Sequence, residues 1–542
     1  MSVKPSIMEG FPLDKPRTSQ IEVLRAIQHA FDKGYRNVLL EAPVGSGKSA
    51  IAVACAKYFK EAHVLTPRKS LQDQYAEDFY KESLVTMKGR SSYPCTYPSD
   101  GNQEYDRVTS LIRSGKPLVM LKGTKTCNEG PCITSGKIKK LCTNPGDNGQ
   151  PDRTPCPYSM AIDTAQISGT IVHNLHSFIF QTYYSGRFQK RPLLVVDECH
   201  ELEDTLRGFA EKTITIPVLI SEQDMPLEGN MTTMADWADY LLPFADRYSS
   251  NAKEGEVSAR EEFEALILTL QELSDIVGDK FVVDSERDTF SKKTKFIITP
   301  EYVANLSGKY ILDYGERRLL MSGTVYSKNL YCRLNGLIPE ETCFIKIGSS
   351  FPKRLRPIYA KQEYMVDTSH KMWDTNFSQV VANIRKVMEI FKDVKGLIHA
   401  PSYTAAIALQ AALRDSNRVV THSKDDFQQV LQAFYSSAEP KVLISPICQQ
   451  GVDFREDRAR FQIILRVPYP STSSKLMAKK VKEDFSYYNY KALVVFGQQI
   501  GRVNRSEEDF GVTILMDSRF PGFLRKNKTN LPKWLMEAVV YE

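Results

Sequence analysis

The segment Gly45-Ser46-Gly47-Lys48-Ser49 sets a lysine and a hydroxyl directly behind two glycines. Glycine lets a backbone wrap closely around an anion. In such a loop Lys48 reaches β- and γ-phosphates and Ser49 holds Mg²⁺. The first position of the usual pattern is glycine and here is Ala42. A second group, Asp197-Glu198-Cys199-His200, offers paired carboxylates. Asp197 is a candidate Mg²⁺ ligand and Glu198 a candidate to polarise an attacking water. A third group is Gln498-Gln499-Ile500-Gly501-Arg502-Val503-Asn504-Arg505. Two arginines three apart share one helix face. Aimed at a γ-phosphate in flight, an arginine finger is worth roughly 10³–10⁵ in rate. The first two groups together are the chemistry of ATP hydrolysis; by themselves the arginines read as a solvated face.

Elements must hold these groups in place. Arg36 to Ala42 is a short apolar strand, and Ala50 to Ala56 reads as a helix. Strand, loop and helix turn unpaired N–H groups and a positive helix end toward phosphate. Leu193-Leu194-Val195-Val196 is the continuous apolar run of a buried parallel strand. Asp197 and Glu198 stand at its carboxyl end. Cys199 is expected to pack, and His200 to link the carboxylates to a nucleic-acid side.

Five of the ten cysteines fall in one stretch: Cys95, then Cys127-x₄-Cys132-x₉-Cys142-x₁₃-Cys156. Four thiolates suffice for a [4Fe–4S] cluster. Structural zinc usually takes two tight pairs, and only Cys127 and Cys132 form one. The intervening loops, such as Asn144 to Gly149, are turn-rich and poor in apolar residues, so a metal staple suits them. Five candidates stand for four places. Cys127 and Cys142 compete for the fourth place, and the shorter loop weakly favours Cys127.

Segments in this order resemble superfamily 2 helicases, and with the cysteine insert the XPD/DinG branch of iron–sulfur helicases. The resemblance covers nearly the whole chain. Arg17-Thr18-Ser19-Gln20 resembles the adenine-recognition segment, with Arg17 and Gln20 as its contacts. Thr66-Pro67-Arg68-Lys69-Ser70-Leu71-Gln72-Asp73-Gln74 resembles motif Ia, which touches the nucleic-acid backbone. Lys88 to Cys95 and Cys156-Pro157-Tyr158 resemble the two flanks of the cluster domain, which implies Cys95 and Cys156 as the firmest ligands, with Cys132 third. Met321-Ser322-Gly323-Thr324 stands at motif III, Leu397 to Tyr403 at motif IV, and Gln450-Gly451-Val452-Asp453 at motif V. Gln498, Arg502 and Arg505 stand at motif VI. Two departures are Gln450 for the usual glutamate and Gly323 for the usual alanine; neither removes a phosphate or metal ligand.

The resemblance implies an α/β fold of two RecA-like motor domains, interrupted by an iron–sulfur domain and a helical arch-like insertion. The expected divisions are 1–90, 159–204 and 301–365 for the first motor domain, 91–158 for the cluster domain, 205–300 for the helical insertion and 366–542 for the second motor domain. ATP would sit in the crevice between motor domains, with Mg²⁺ and a [4Fe–4S] cluster as further cofactors. The implied substrate is single-stranded DNA with fork or overhang DNA, moved along 5′→3′. Opening a duplex step costs about 1.4 kcal/mol, and the cluster domain would act as the wedge. Tyr93, Tyr97 and Tyr158 could stack on bases at about 1–3 kcal/mol each; core packing is their competing role. An RNA helicase would share the ATPase motifs without the cysteine insert. A clamp whose ATPase only regulates attachment is the other rival.

Composition agrees with a multidomain globular chain. It has 542 residues, 42% hydrophobic and 25% charged, with a net charge of +6. That mild basic excess is compatible with a polyanion but forms no polybasic tail. Met1 to Arg17 lacks a signal-peptide core, and no run reaches a membrane span. An intracellular, monomeric protein is expected, so its cysteines serve as ligands or buried thiols rather than disulfides.

Overall fold

The computed structural model describes residues 6–95, 125–130, 132, 156–216, 234–250, 264, 267–268, 270–272, 274–275, 280–287, 294–448, 452, 454–504 and 508–541. Its first strands are β1 (Asn37–Glu41), β2 (Ala62–Thr66), β3 (Leu84–Met87), β4 (Thr170–Asn174) and β5 (Arg191–Asp197). Next come β6 (Lys212–Ile216), β7 (Phe281–Arg287) and β8 (Thr294–Pro300), then β9 (Gly315–Ser322) and β10 (Thr342–Lys346). The last seven are β11 (Ile358–Tyr359), β12 (Gly396–His399), β13 (Val419–Val420), β14 (Val442–Ser445), β15 (Phe461–Ile464), β16 (Val512–Leu515) and β17 (Val539–Val540). They build a seven-stranded sheet β10-β1-β9-β5-β2-β4-β3, a second of order β13-β14-β12-β15-β16-β11-β17, and a three-stranded sheet β6-β8-β7.

The chain divides into two compact units. The first comprises Met1–Val38, Ser49–Thr205 and Leu306–Leu320; the second comprises Leu39–Lys48, Leu206–Asn305 and Met321–Glu542.

In the first unit β2 lies parallel to both β4 and β5, and β3 parallel to β4. β2 and β5 are buried nearly end to end, as strands covered on both faces must be. Helices α1 (Thr18–Asp32) and α3 (Lys69–Asp78) belong here, with most of α2 (Lys48–Phe59). α2 buries every residue from Ala50 to Ala56.

In the second unit every pairing of the seven-stranded sheet is parallel. The helix Trp373–Ile390 sends Val380, Ile384, Val387 and Met388 into one cluster with Ile398, Ile444 and Ile463. The helix Phe485–Ile500 joins another with Ile464 and Leu515. Helices thus cover both faces, which is the layer rule for α/β folds.

The insertion expected to be helical carries β6, β7 and β8 as an antiparallel sheet. Lys212 to Ile216 and Phe281 to Arg287 are rich in Thr, Val and Ile or Phe, and such short runs favour a pleated, half-buried surface. The helix Met234–Ser250 carries Pro243 in its interior. Much of the run Ala259 to Ile276 lies outside the described residues.

Three histidines inside the sheets make an acid prediction. His63 on β2 contacts His173 on β4, Nδ1 to Nε2, at 3.2 Å. His399 on β12 meets Gln462 Oε1 at 2.9 Å. Burial depresses His63 to about 3 and His399 to about 4, and holds His173 well below its ordinary value. Folded-state values below the unfolded value of about 6.5 mean that the unfolded chain binds more protons in acid. The neutral rings' contribution is complete above pH about 6.5 and drains away as pH falls toward 4. Three such rings give a slope of at most about 4 kcal/mol per pH unit. Urea unfolding at pH 7, 6 and 5 should show a falling midpoint; an unchanged midpoint would contradict it.

Candidate active site

The nucleotide loop follows β1. Gly45 and Gly47 take φ of 78° and 77°, a conformation glycine adopts without a Cβ penalty. Lys48 Nζ donates to Ala42 O at 3.3 Å, folding the lysine over its own loop. Just before it, buried Glu41 accepts from Tyr326 N–H and pairs with Lys346 at 3.6 Å. Burial raises the Glu41 carboxyl, and the Lys346 charge opposes that rise.

A line of hydrogen bonds runs from this loop through the second unit. Ala42 N donates to Ser322 O at 2.9 Å. Thr324 N donates to Ser322 Oγ at 3.1 Å. Gln498 Nε2 donates to Thr324 Oγ1 at 3.1 Å. Arg502 Nη2 donates to Gln498 Oε1 at 3.0 Å, and its Nη1 to Val452 O at 2.6 Å. The expected motifs I, III, VI and V are therefore one bonded series.

One expectation about this series changes. The helix ends at Ile500 with Gly501 as its C-cap, so Arg502 lies beyond it and the shared helical face does not form. Arg502 is 5% exposed with its fork engaged by Gln498 and Val452. Arg505, Gln450, Gly451 and Asp453 lie outside the described residues.

Gly497 is the tight point. A Cβ there would collide with the Tyr326 hydroxyl and lie 2.7 Å from Thr324 Cγ2. Overpacking of this kind costs about 1–3 kcal/mol. Gly497→Ala should therefore lower the melting temperature and ATP turnover together. Adding Tyr326→Phe, which removes the colliding oxygen, should recover part of both; no recovery would locate the damage elsewhere.

The carboxylates belong to the first unit. Asp197, at the end of β5, is 2% exposed. Its Oδ1 accepts from Glu198 N–H at 2.9 Å and its Oδ2 from Tyr75 OH at 2.9 Å. Tyr75 also shares a hydrogen bond with Ser49. Ser49, Asp197 and Glu198 are thus gathered around one phenol that the sequence did not single out.

Glu198 sits at φ 49° and ψ 47°, a left-handed position costly for a residue with a side chain. His200 Nδ1 lies 3.3 Å from Glu198 Oε2, and its Nε2 lies 3.8 Å from Glu201 Oε1. Glu201 Oε1 in turn pairs with Arg68 at 2.7 Å. Glu198, His200, Glu201 and Arg68 are thus near neighbours between the water-polarising position and the segment resembling motif Ia, with Glu201 and Arg68 directly bonded. Cys199 is fully buried. At the N-terminus of α1, Gln20 Oε1 accepts from Arg17 N–H at 2.8 Å, and Gln20 is buried.

Three cysteines converge from distant segments of the first unit. Pro94 and Thr126 form an antiparallel bridge. Cys95 N donates to Lys125 O at 2.9 Å, and Cys127 N to Tyr93 O at 2.8 Å. Cys127 Sγ lies 3.6 Å from Cys156 Sγ, and Cys95 is close enough to act on Cys127 electrostatically. Cys156 caps the helix Pro157–Ile167. The Cys127 thiol, then backbone N–H groups and Arg90, draw Cys156 down to about 6, while Cys127 is pushed up by its bond to Cys156 and by burial. Cys132 is buried, and Cys142 lies outside the described residues. Among the described residues no group of three or more His, Cys, Asp or Glu is arranged as a metal site.

The tyrosines that could stack on bases do not present their faces. Tyr158 is 6% exposed, with Arg90 and Arg187 at 5.3 and 5.5 Å from its ring and its hydroxyl bonded to Arg187. Tyr93 packs on Tyr158 at 5.6 Å and accepts from Lys88 N–H. The apolar interior of this small region claims both rings. Tyr97 lies outside the described residues.

A phosphate loop, an acid-tipped strand and a bonded series of further motifs stand on parallel, RecA-like α/β sheets. Known proteins agree. Residues 384–538 match the family described as helicase C-terminal domain, and residues 13–217 match the res subunit of type III restriction enzymes. The ATP-dependent DNA helicase YoaA of Escherichia coli is 21% identical, over 95% of this chain and 93% of its own length. A probable ATP-dependent helicase of Methanocaldococcus jannaschii is 21% identical, over 96% of this chain and 94% of its own. With the Fanconi anemia group J protein homolog of Gallus gallus the match is 27% over 138 residues, 11% of that protein. A solved XPD helicase superposes with a TM-score of 0.61 at 17% identity, covering 98% of this chain and all of the other. The S. tokodaii Xpd4 structure gives 0.55 at 14%, covering 97% and 100%. In sequence and in fold the chain is similar to the XPD/DinG-like superfamily 2 helicases. Among the described residues no helix is long and apolar enough to cross a membrane.

Proposed function

We propose that this chain is an ATP-driven DNA helicase that travels 5′→3′ on a single strand and opens the duplex ahead of it. The observation that carries the reading is the group Glu198, His200, Glu201 and Arg68, in which a carboxylate suited to activate water stands near the segment suited to hold a nucleic-acid backbone. Lys48 and the amides of Gly45, Ser46 and Gly47 bind the phosphates. Ser49 and Asp197 hold Mg²⁺, and Glu198 orients the water. Arg502 and Arg505 answer the γ-phosphate, with Gln498 bracing Arg502. Arg17 and Gln20 read the adenine. The relatives named as ATP-dependent helicases support the ATPase.

Cys95, Cys127, Cys132 and Cys156 suit a [4Fe–4S] cluster, with Cys142 the competing fourth ligand. Cys127 and Cys156 meet, Cys95 acts on Cys127 electrostatically, and soft thiolate donors suit iron–sulfur chemistry. The group would staple the wedge domain in shape. Tailed duplexes of both polarities test the function, together with ATP turnover on single-stranded DNA and on RNA and an iron and sulfide count. Displacement from a 5′ tail with DNA-stimulated turnover is expected. Turnover without displacement would support a clamp, and stronger stimulation by RNA would support an RNA motor.

A further inference from the structure

Tyr75 is buried completely, in the middle of α3. A buried phenol takes partners for its hydroxyl, and the partners here are chemically pointed. The hydroxyl donates to Asp197 Oδ2 at 2.9 Å, and it accepts from Ser49. Packing alone would be served by phenylalanine. A hydroxyl at that depth is useful only to the groups that it touches, and both are the groups read above as Mg²⁺ ligands.

The direction of the bonds matters. Asp197 is an acceptor as a carboxylate, so the phenol must donate to it. The phenol oxygen is then free to accept, and Ser49 supplies its hydroxyl proton. Ser49 is left with its lone pairs as its remaining capacity, and so is Asp197, whose other oxygen already takes Glu198 N–H at 2.9 Å. A group whose protons are committed elsewhere offers only electron pairs to a cation.

We propose that Tyr75 is a positioning residue for the magnesium ion, turning the lone pairs of Ser49 and Asp197 to one point. The proposal rests on the reading of Ser49 and Asp197 as metal ligands. It also gives α3 a second task. The helix begins beside Arg68, which is bound to Glu201 at 2.7 Å, and two turns later carries Tyr75. One short rigid element holds both the backbone-contact segment and the aligner of the metal ligands. Nucleic acid that displaces α3 therefore changes metal affinity, and by linkage the metal changes nucleic-acid affinity by the same factor.

Tyr75→Phe removes one oxygen and keeps the ring. The readout is Mn²⁺ binding to the full chain with ADP, followed by electron paramagnetic resonance, beside the Mg²⁺ dependence of ATP turnover. Outer partners of metal ligands are commonly worth about 10–100-fold in affinity. Tyr75→Phe should weaken Mn²⁺ by about tenfold, and its turnover deficit should shrink as Mg²⁺ is raised. A purely structural role would lower turnover at every Mg²⁺ concentration and leave Mn²⁺ affinity alone, and that result overturns the proposal. Ser49→Ala separates the two levels. If it weakens Mn²⁺ and Tyr75→Phe does not, only the positioning role fails. If Ser49→Ala leaves Mn²⁺ binding intact, the ligand reading fails and the proposal goes with it.

Discussion

Glu198→Gln should lower ATP turnover by about 10²–10⁴-fold, the usual worth of a positioned general base, while single-strand binding stays near that of the wild type. The substitution keeps size and shape and exchanges a basic oxygen for an amide. Its surroundings tolerate the exchange. Glu198 N–H is bonded to Asp197 Oδ1, so the left-handed backbone at φ 49° is held from the main chain rather than from the carboxylate. An amide oxygen can still face His200 Nδ1, which now stands 3.3 Å from Glu198 Oε2. Arg68 keeps Glu201, so the backbone-contact segment is not released. Turnover with saturating single-stranded DNA, strand affinity with ADP and a thermal melt together check the prediction. Near-normal turnover would remove Glu198 from the chemistry. Equal loss of turnover and strand binding would mean that the group up to Arg68 had collapsed.

The parts of this arrangement that the sequence discloses are those written in consecutive residues. A glycine loop between an apolar strand and a helix is local, and β1 and α2 stand where its flanks predict them. The same is true of β5, whose apolar run ends on Asp197. Partnerships made across the chain are not written that way. Tyr75 and Asp197 are 122 positions apart, and Arg68 and Glu201 are 133 apart. Neither partnership is visible until the sheet brings β2 beside β5. Glu201 had one faint signal, an extra carboxylate next to the acidic pair. Tyr75 had none, because a tyrosine in a short amphipathic helix reads as packing.

What the sequence left open or misled on has the same source. For Tyr158 beside Cys156 the sequence left stacking and core packing both open, because whether a ring faces water depends on Arg90 and Arg187, which approach from separate segments. Arg502 looked helical because the helix pattern runs on through Gly501. The helix stops there while the side chain turns to Gln498 and Val452. The β6-β8-β7 sheet was missed because its strands are short and 64 positions separate the end of β6 from the start of β7, where a helical pattern dominates.

Cys156→Ser should abolish strand displacement and strip the chain of iron, with most DNA-stimulated ATP turnover retained. The position allows a clean separation of ligand from fold. Cys156 is the N-cap of the helix Pro157–Ile167, with proline in the first turn. Serine is among the best N-cap residues, so the helix start should survive the exchange. What disappears is a thiolate. At Cys156 the Cys127 thiol and the backbone N–H groups of Ser159 and Tyr158 favour the thiolate. A serine hydroxyl is not ionised there and is a poor ligand for iron. Its neighbours Cys95 and Cys127 would then close a site with one donor fewer, beside the Pro94–Thr126 bridge and a small apolar cluster. The ATPase residues Asp197 and Glu198 are held from elsewhere, by Tyr75 and His200. Iron and sulfide per chain, displacement of a 5′-tailed duplex and ATP turnover measured on one preparation decide the matter. Cys199→Ser serves as the control, since that thiol is buried outside the cluster region. Loss of turnover in step with displacement would make the cysteines a general prop of the fold. A wild-type chain carrying zinc in place of iron would leave the staple and remove the cluster.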